Sequence, residues 1–368
     1  MGKVIKYPKK PKSRLNGSSL DNSTPLPVMA SIEANQNGKL ADTIETWSEA
    51  DLNLHRRLLQ KLISDNEFPQ AKIVAKHLTD LQPDDSYAWY LRGVVLLALS
   101  DPERAEPCLL RSIEIAGSAD GWDCYNMSRS RLLMGDLEGA ADWCSRAIKL
   151  DPDKPPFRWK LIDIYSIQGD LAAAIAVGKV ALTNTAEASD EVRTRLTLAN
   201  LYLSTSAFDE SADQLNEALK LDERNSELWS MLGRCMSRQN RWEAAMEAFQ
   251  RAAEIDPHDA TILYNIGDAF LGLGEPEKAV GPLRQAVRLQ PDYSLAYYDL
   301  SLAFFELKNY QEAETSARAA LRDDPDMAFQ LSNLGLGATD NLGLALMNQG
   351  RMEEAEACFK LNLGLVEL

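Results

Sequence analysis

The chain has 368 residues, 45% of them hydrophobic and 26% charged, with a net charge of −16. That is too long for one ordinary compact core, enough for two or three domains, and too apolar for a mainly disordered chain. The acidity argues against nucleic acid as the partner, because phosphate would be repelled, and no apolar run reaches the roughly 18 residues a membrane span needs.

Residues 1–45 read as a flexible basic arm. Lys3, Lys6, Lys9, Lys10, Lys12 and Arg14 precede any acid, and Pro8, Pro11, Pro25 and Pro27 interrupt regular structure. No apolar core follows the basic head, so it does not read as a secretory leader. Lys6 breaks the myristoylation pattern that Gly2 opens. The segment PKKPKSR is a solvated charge run, a nuclear localisation signal or an electrostatic docking tag. Ser48 is placed to cap the first helix, with Trp47 as its staple.

From residue 52 one unit recurs, starting at 52, 86, 121, 155, 192, 226, 260, 294 and 336. Position 20 of these units is Ala71, Ala105, Ala140, Ala174, Ser211, Ala245, Ala279, Ala313 and Ala355. Position 15 carries turn formers at Gly135, Gly169, Asn240, Gly274 and Gly350, and position 32 carries Pro83, Pro152, Pro257, Pro291 and Pro325. Apolar residues at helical spacing fill both sides of position 15, so each unit predicts two amphipathic helices joined by a tight turn. Small residues at positions 8 and 20 let the two helices cross closely, and position 27 does the same toward the following unit. The proline stops the second helix.

In the unit at 226 the marks are Trp229, Leu232, Gly233, Ala245, Phe249, Ala252 and Pro257. This pattern resembles the tetratricopeptide repeat, and the resemblance covers residues 52–368. It implies an all-α fold, a right-handed α-solenoid of about nine helix-turn-helix repeats, each buried by its neighbours. Repeats one to eight are expected over 46–327, and an insertion, a ninth repeat and a C-terminal helix over 328–368. Arg92 departs from the pattern at position 7, Leu59 and Ile162 at position 8, and Ser211 and Glu223 in the unit at 192. Looser crossings are expected at those departures. In NLGLGATDNLGL the motif NLGL recurs eight residues on, so the insertion around 328–335 either lengthens a helix or adds a loop.

The resemblance also implies that positions 2, 5, 6, 9, 12 and 13 of each first helix line a concave groove. The residues expected to bind a partner there are Arg56, Tyr90, Trp122, Tyr125, Asn126, Arg129, Trp159, Lys160, Arg193, Asn200, Arg234, Arg238, Asp268 and Asp299. Bases and aromatics come early in this set and acids late. The expected partner is a protein or peptide, acidic or aromatic-containing; the alternative is that some of the aromatics pack between helices, as Trp89 and Trp229 at position 4 are expected to do. Only Asn126, Asn265 and Asn341 stand where a subgroup of the family carries an asparagine ladder, and no three consecutive units supply the family's carboxylate-binding set.

The chain ends in KLNLGLVEL, where Leu363, Leu365 and Leu368 lack a polar cap; this points to self-association or docking. The five cysteines form no C-x-x-C pair and the three histidines give no zinc spacing, so neither metal nor cofactor is expected, and the thiols suit a cytoplasmic protein. Phosphate-loop, H-E-x-x-H and G-x-S-x-G motifs are absent and His258 reads as turn chemistry, so no enzyme activity is expected. The expected function is a non-catalytic interaction scaffold or adaptor. The alternative is a structural or regulatory subunit of a larger complex, even an enzymatic one, docking through the apolar C-terminal end.

Overall fold

The computed structural model describes residues 52–184, 187–323 and 337–362. The expected basic arm, the insertion at 328–335, and Leu363, Leu365 and Leu368 lie outside the described residues.

All regular elements among the described residues are helices, and they pair into nine hairpins. The pairs are α1 (Leu52–Ser64) with α2 (Phe68–Leu81), α3 (Ser86–Ala98) with α4 (Pro102–Ala116), and α5 (Gly121–Leu133) with α6 (Leu137–Leu150). Next come α7 (Pro155–Gln168) with α8 (Leu171–Thr183), α9 (Ala188–Ser204) with α10 (Phe208–Leu221), and α11 (Ser226–Arg238) with α12 (Trp242–Ile255). The last are α13 (Ala260–Gly272) with α14 (Pro276–Leu289), α15 (Ser294–Glu306) with α16 (Tyr310–Asp323), and α17 (Ala338–Asn348) with α18 (Met352–Asn362). The chain divides into two compact units, one ending at Val177 and the other beginning at Gly178. No helix among the described residues is long and apolar enough to cross a membrane.

The turn within each hairpin has one solution. Position 15 is left-handed in all nine, with φ between 56° and 81°. Glycine takes that conformation freely, and four of the nine are glycine. Asn66, Ser100, Ser206, Asn240 and Lys308 adopt the left-handed conformation at the other turns and in the same backbone role.

Inside each hairpin the crossing is close, as the small residues predict. Position 20 is 0–2% exposed in every hairpin, so nothing larger than alanine or serine fits. Position 8 is small because position 24 of the second helix is large: Gly93 lies against Leu109, Gly233 against Phe249, Gly267 against Leu283, and Gly343 against Phe359. Where serine replaces glycine or alanine, its hydroxyl closes the crossing. Ser128 Oγ donates to the Ala140 carbonyl at 2.7 Å, and Ser211 Oγ donates to the Ala199 carbonyl at 2.8 Å. The expected looseness around Ser211 is therefore absent, since the hydroxyl bonds the facing helix. Leu59 and Ile162, at position 8 of the first and fourth hairpins, are fully buried.

Seams between successive hairpins reuse one hydrogen bond. The indole of Trp89 donates to the Pro83 carbonyl at 2.9 Å, and that of Trp229 to the Glu223 carbonyl at 2.9 Å. Each joins position 4 to position 32 of the preceding unit. Arg158 occupies the same place in the fourth hairpin, and its guanidinium donates to the Pro152 carbonyl. Asp85, Asp120, Asn225 and Asp259 cap the helices that follow these seams. The fifth hairpin differs from expectation: α9 begins at Ala188, before the unit start at 192. Asp190 and Glu191 sit in its first turn, where negative charge stabilises a helix N-terminus.

Candidate functional site

The first helix of each hairpin supplies positions 2, 5, 6 and 9, and in each unit these positions form a cluster.

In the N-terminal unit the cluster lies on α3 and α5. The rings of Tyr87 and Tyr90 stack at 6.1 Å, and Gln60 on α1 donates to the Tyr87 hydroxyl at 3.2 Å. Asn126 on α5 joins the two helices. Its Nδ2 donates to the Tyr90 hydroxyl at 3.2 Å, and its Oδ1 accepts from Arg129 Nη1 at 3.1 Å. One buried amide thus orients a phenol on one side and a guanidinium on the other. Trp122 and Tyr125 meet edge-on at 5.4 Å, and both rest on the buried ring of Phe157, at 4.9 Å and 5.4 Å. The half-buried Trp122, Tyr125 and Arg129 form the accessible part of the cluster, while Tyr90 and Asn126 lie beneath. Burial, then the nearby Asp123 and Asp120 charges, pushes the Tyr90 hydroxyl well above the ordinary tyrosine range, so it stays protonated.

Three other expected residues of this unit are engaged by the fold. Arg56 donates to Asp85 Oδ2 at 2.7 Å and to Gln82 at 2.7 Å. Lys160 pairs with Asp163 at 3.1 Å. Trp159 is buried.

In the C-terminal unit Arg193 and Asn200 on α9, and Arg234 and Arg238 on α11, are exposed. Asp268 on α13 and Asp299 on α15 lie close enough for the charge of one to act on the other, and Tyr264 lies near Asp299. The rings of Tyr264 and Tyr293 meet at 5.1 Å. Asn265 Nδ2 donates to Ser230 Oγ at 3.2 Å. Burial raises the carboxyl of Asp268 above the ordinary aspartate value, against the pull of Arg238. Burial, then the charge of Asp268, raises that of Asp299 well above it, against the opposing pull of Tyr264.

Two of the early bases are paired with acids. Arg56 is matched by Asp85 at a helix cap, and Lys160 by Asp163 three residues on. The late acid Asp268 lies within the field of Arg238. The acids that answer Arg56 and Lys160 fall outside the positions that line the first-helix face or were outnumbered there. Sequence reasoning also passed over Gln60, Phe157, Ser230 and Tyr264. Ser230 and Tyr264 are readable as position 5 and Gln60 as position 9, whereas Phe157, at position 3, shows no signal before the helices are packed.

Comparison with known proteins follows the same lines. The family described as "Cilia and flagella-associated protein 70 C-terminal domain" matches residues 115–334, well over half of the chain. Tetratricopeptide repeat families match residues 60–120 and 336–363. The tetratricopeptide repeat protein 37 of Xenopus laevis is 25% identical over 132 residues, 36% of this chain and 8% of that protein. The peroxisomal targeting signal receptor of Saccharomyces cerevisiae is 28% identical over 80 residues, 22% of this chain and 13% of the receptor. The matches therefore span a small part of these curated relatives. Among solved structures, a tetratricopeptide repeat protein from Parabacteroides merdae aligns with a TM-score of 0.53 at 15% identity, over 67% of this chain and 93% of that one. A structure of the APC/C hetero-tetramer Cut9-Hcn1 aligns with a TM-score of 0.52 at 16% identity, over 83% of this chain and 58% of that one. Both likenesses are of fold.

Proposed function

The chain belongs to the tetratricopeptide repeat family, with the cilia and flagella-associated protein 70 C-terminal domain as the member that matches most of it, and on that basis we propose a non-catalytic interaction scaffold. Its N-terminal unit holds a peptide segment of a partner protein on the first-helix face of the second and third hairpins. The observation that carries this reading is Asn126, buried between Tyr90 and Arg129 and bonded to both. A guanidinium held in place by a buried amide, beside the half-buried rings of Trp122 and Tyr125, is a preorganised site for a carboxylate flanked by an apolar or aromatic side chain. A relative named as receptor for a targeting signal is consistent with a segment-binding role. The five cysteines are free and four are buried, which supports a reducing, cytoplasmic setting.

The test is a peptide library selected on the immobilised chain. Enriched peptides should carry Asp or Glu next to an aromatic or aliphatic residue. Arg129→Glu should weaken them at least about tenfold, the scale of one lost charge-assisted bond. Enrichment of basic peptides, or binding that ignores Arg129→Glu, would sink the reading.

A further inference from the structure

Side chains at position 6 tie three of the seams between hairpins. All are asparagines whose amide donates to a hydroxyl of the preceding hairpin: Asn126 to Tyr90, Asn265 to Ser230 and Asn341 to Ser301, each at 3.2 Å. At the seam between α13 and α15 the same position holds Asp299, with Tyr264 nearby at the position that Tyr90 and Ser230 hold in the other rungs.

Aspartic acid has the shape of asparagine, but the ionised form carries a full charge and has no donor. A charge here is poorly placed. Asp299 is 6% exposed, and its Oδ2 is buried without a hydrogen-bond partner. The charge that acts on it is a second carboxylate, Asp268 of α13. The groups around the pair do not relieve this. On α11, Arg238 acts on Asp268 yet forms no ion pair among the described residues, and Arg234 acts on Tyr293, the neighbour of the Tyr264 ring. On α14, Arg284 lies over the Phe304 ring. On α16, Glu314 is held by Arg318 and Arg351. On α17, Asp340 accepts from the Gly337 backbone. Glu306, at the end of the same helix as Asp299, faces Glu277.

We propose that Asp299 is a proton-binding site: buried, with an oxygen that has no hydrogen-bond partner, it stands as a neutral acid where the other rungs hold asparagine, at the seam of the seventh and eighth hairpins. The proton removes a charge that the seam does not otherwise neutralise. Its loss sets two carboxylates against each other in a partly dry seam and draws Arg238 inward from its exposed position. The folded state then binds more protons here than the unfolded chain. The rung contributes fully below the ordinary aspartate range, and its contribution falls as pH rises through the raised titration of the pair. The face that presents Arg234 and Arg238 thereby acquires a pH dependence.

Infrared spectroscopy of the full chain at neutral pH tests this. Other surface carboxylates are ionised there, so the protonated carboxylic acid band should be present in the natural protein and lost in Asp299→Asn. The variant restores the residue found in the other rungs, and its unfolding midpoint should fall less than that of the natural protein as pH rises from 4 to 8. Asp268→Asn removes the facing charge and should move the titration of the band to lower pH; it decides the question even if Asp299→Asn fails to fold. A spectrum without that band at neutral pH, a band that survives Asp299→Asn, or a titration unmoved by Asp268→Asn overturns the proposal.

Discussion

Gly233 lies under the ring of Phe249, so close that a Cβ on the glycine would stand 2.5 Å from Phe249 Cε1. Phe249 is itself fully buried and has nowhere to retreat. Gly233→Ala should therefore destabilise the protein by about 1–3 kcal/mol through overpacking, even though alanine is the better helix former by about 1 kcal/mol. Gly281 on α14 is the control, because its Cβ would meet nothing within 4 Å. Gly281→Ala should stabilise by about 1 kcal/mol. Urea unfolding midpoints check both signs.

The turn residue at position 15 makes a second prediction. Lys308 holds φ at 59°, which costs an L-residue about 1–2 kcal/mol. Lys308→Gly removes that strain and returns part of the gain as unfolded-state entropy, leaving a net stabilisation of up to about 1 kcal/mol. Gly135, at φ 80° with open space where a Cβ would stand, isolates the backbone effect. Gly135→Ala should lose about 1–2 kcal/mol without any clash. Thermal unfolding of the two variants should move in opposite directions.

The seam bond made by Trp89, Trp229 and Arg158 predicts an exchange. Arg158 is 7% exposed, and its guanidinium reaches a carbonyl that tryptophan reaches elsewhere. Arg158→Trp should keep the bond and shed a buried charge, so its thermal midpoint should equal or exceed that of the natural protein. Arg158→Ala should lower it. Trp229→Phe, which keeps the ring and loses the donor, should cost about 0.5–1.5 kcal/mol. A midpoint for Arg158→Trp below that of Arg158→Ala would mean that the two side chains are not interchangeable.

Glu314 on α16 accepts from Arg351 Nη1 at 2.7 Å and Gln349 Nε2 at 3.0 Å, tying the eighth hairpin to the ninth. Burial works to raise its carboxyl, but bonds from Gln349, Arg318 and Arg351 outweigh it and hold the group below the ordinary glutamate value of 4.5. A lowered value in the folded state means a contribution that is full above the ordinary value and lost as pH falls through the depressed one. The natural protein should lose stability as pH drops below about 4.5, and Glu314→Gln should flatten that acid limb. Melting curves between pH 3 and 6 measure the difference in slope, and parallel curves would remove Glu314 from the account.

The repeat register was legible in the sequence because position 20 admits only alanine or serine; the nine buried residues there mark the crossings one by one. A third of the turn code was not legible. Ser100, Ser206 and Lys308 have no preference for the left-handed region, and the hairpin imposes it on them. The early start of α9 was hidden because Ala188 and Ser189 carry no apolar period, only acids in the turn that follows. For the candidate site, Asn126, Arg129 and Tyr90 were readable as groove positions, but not the bonds that make Asn126 their common support. Charge was the least legible property. Counting positions on one helix face overlooks acids at helix caps, and Asp85, which holds Arg56, is such a cap.

Each asparagine rung reaches the hairpin before it, and the position-6 side chains differ in chemistry: amide to phenol at Tyr90, amide to serine at Ser230 and Ser301, and a buried acid at Asp299. In a stack where neighbours interact only with neighbours, a change at one joint stays local. Compliance under load can thus vary from joint to joint along a single polypeptide. A pulling force would find its weakest link by chemistry before it found it by length.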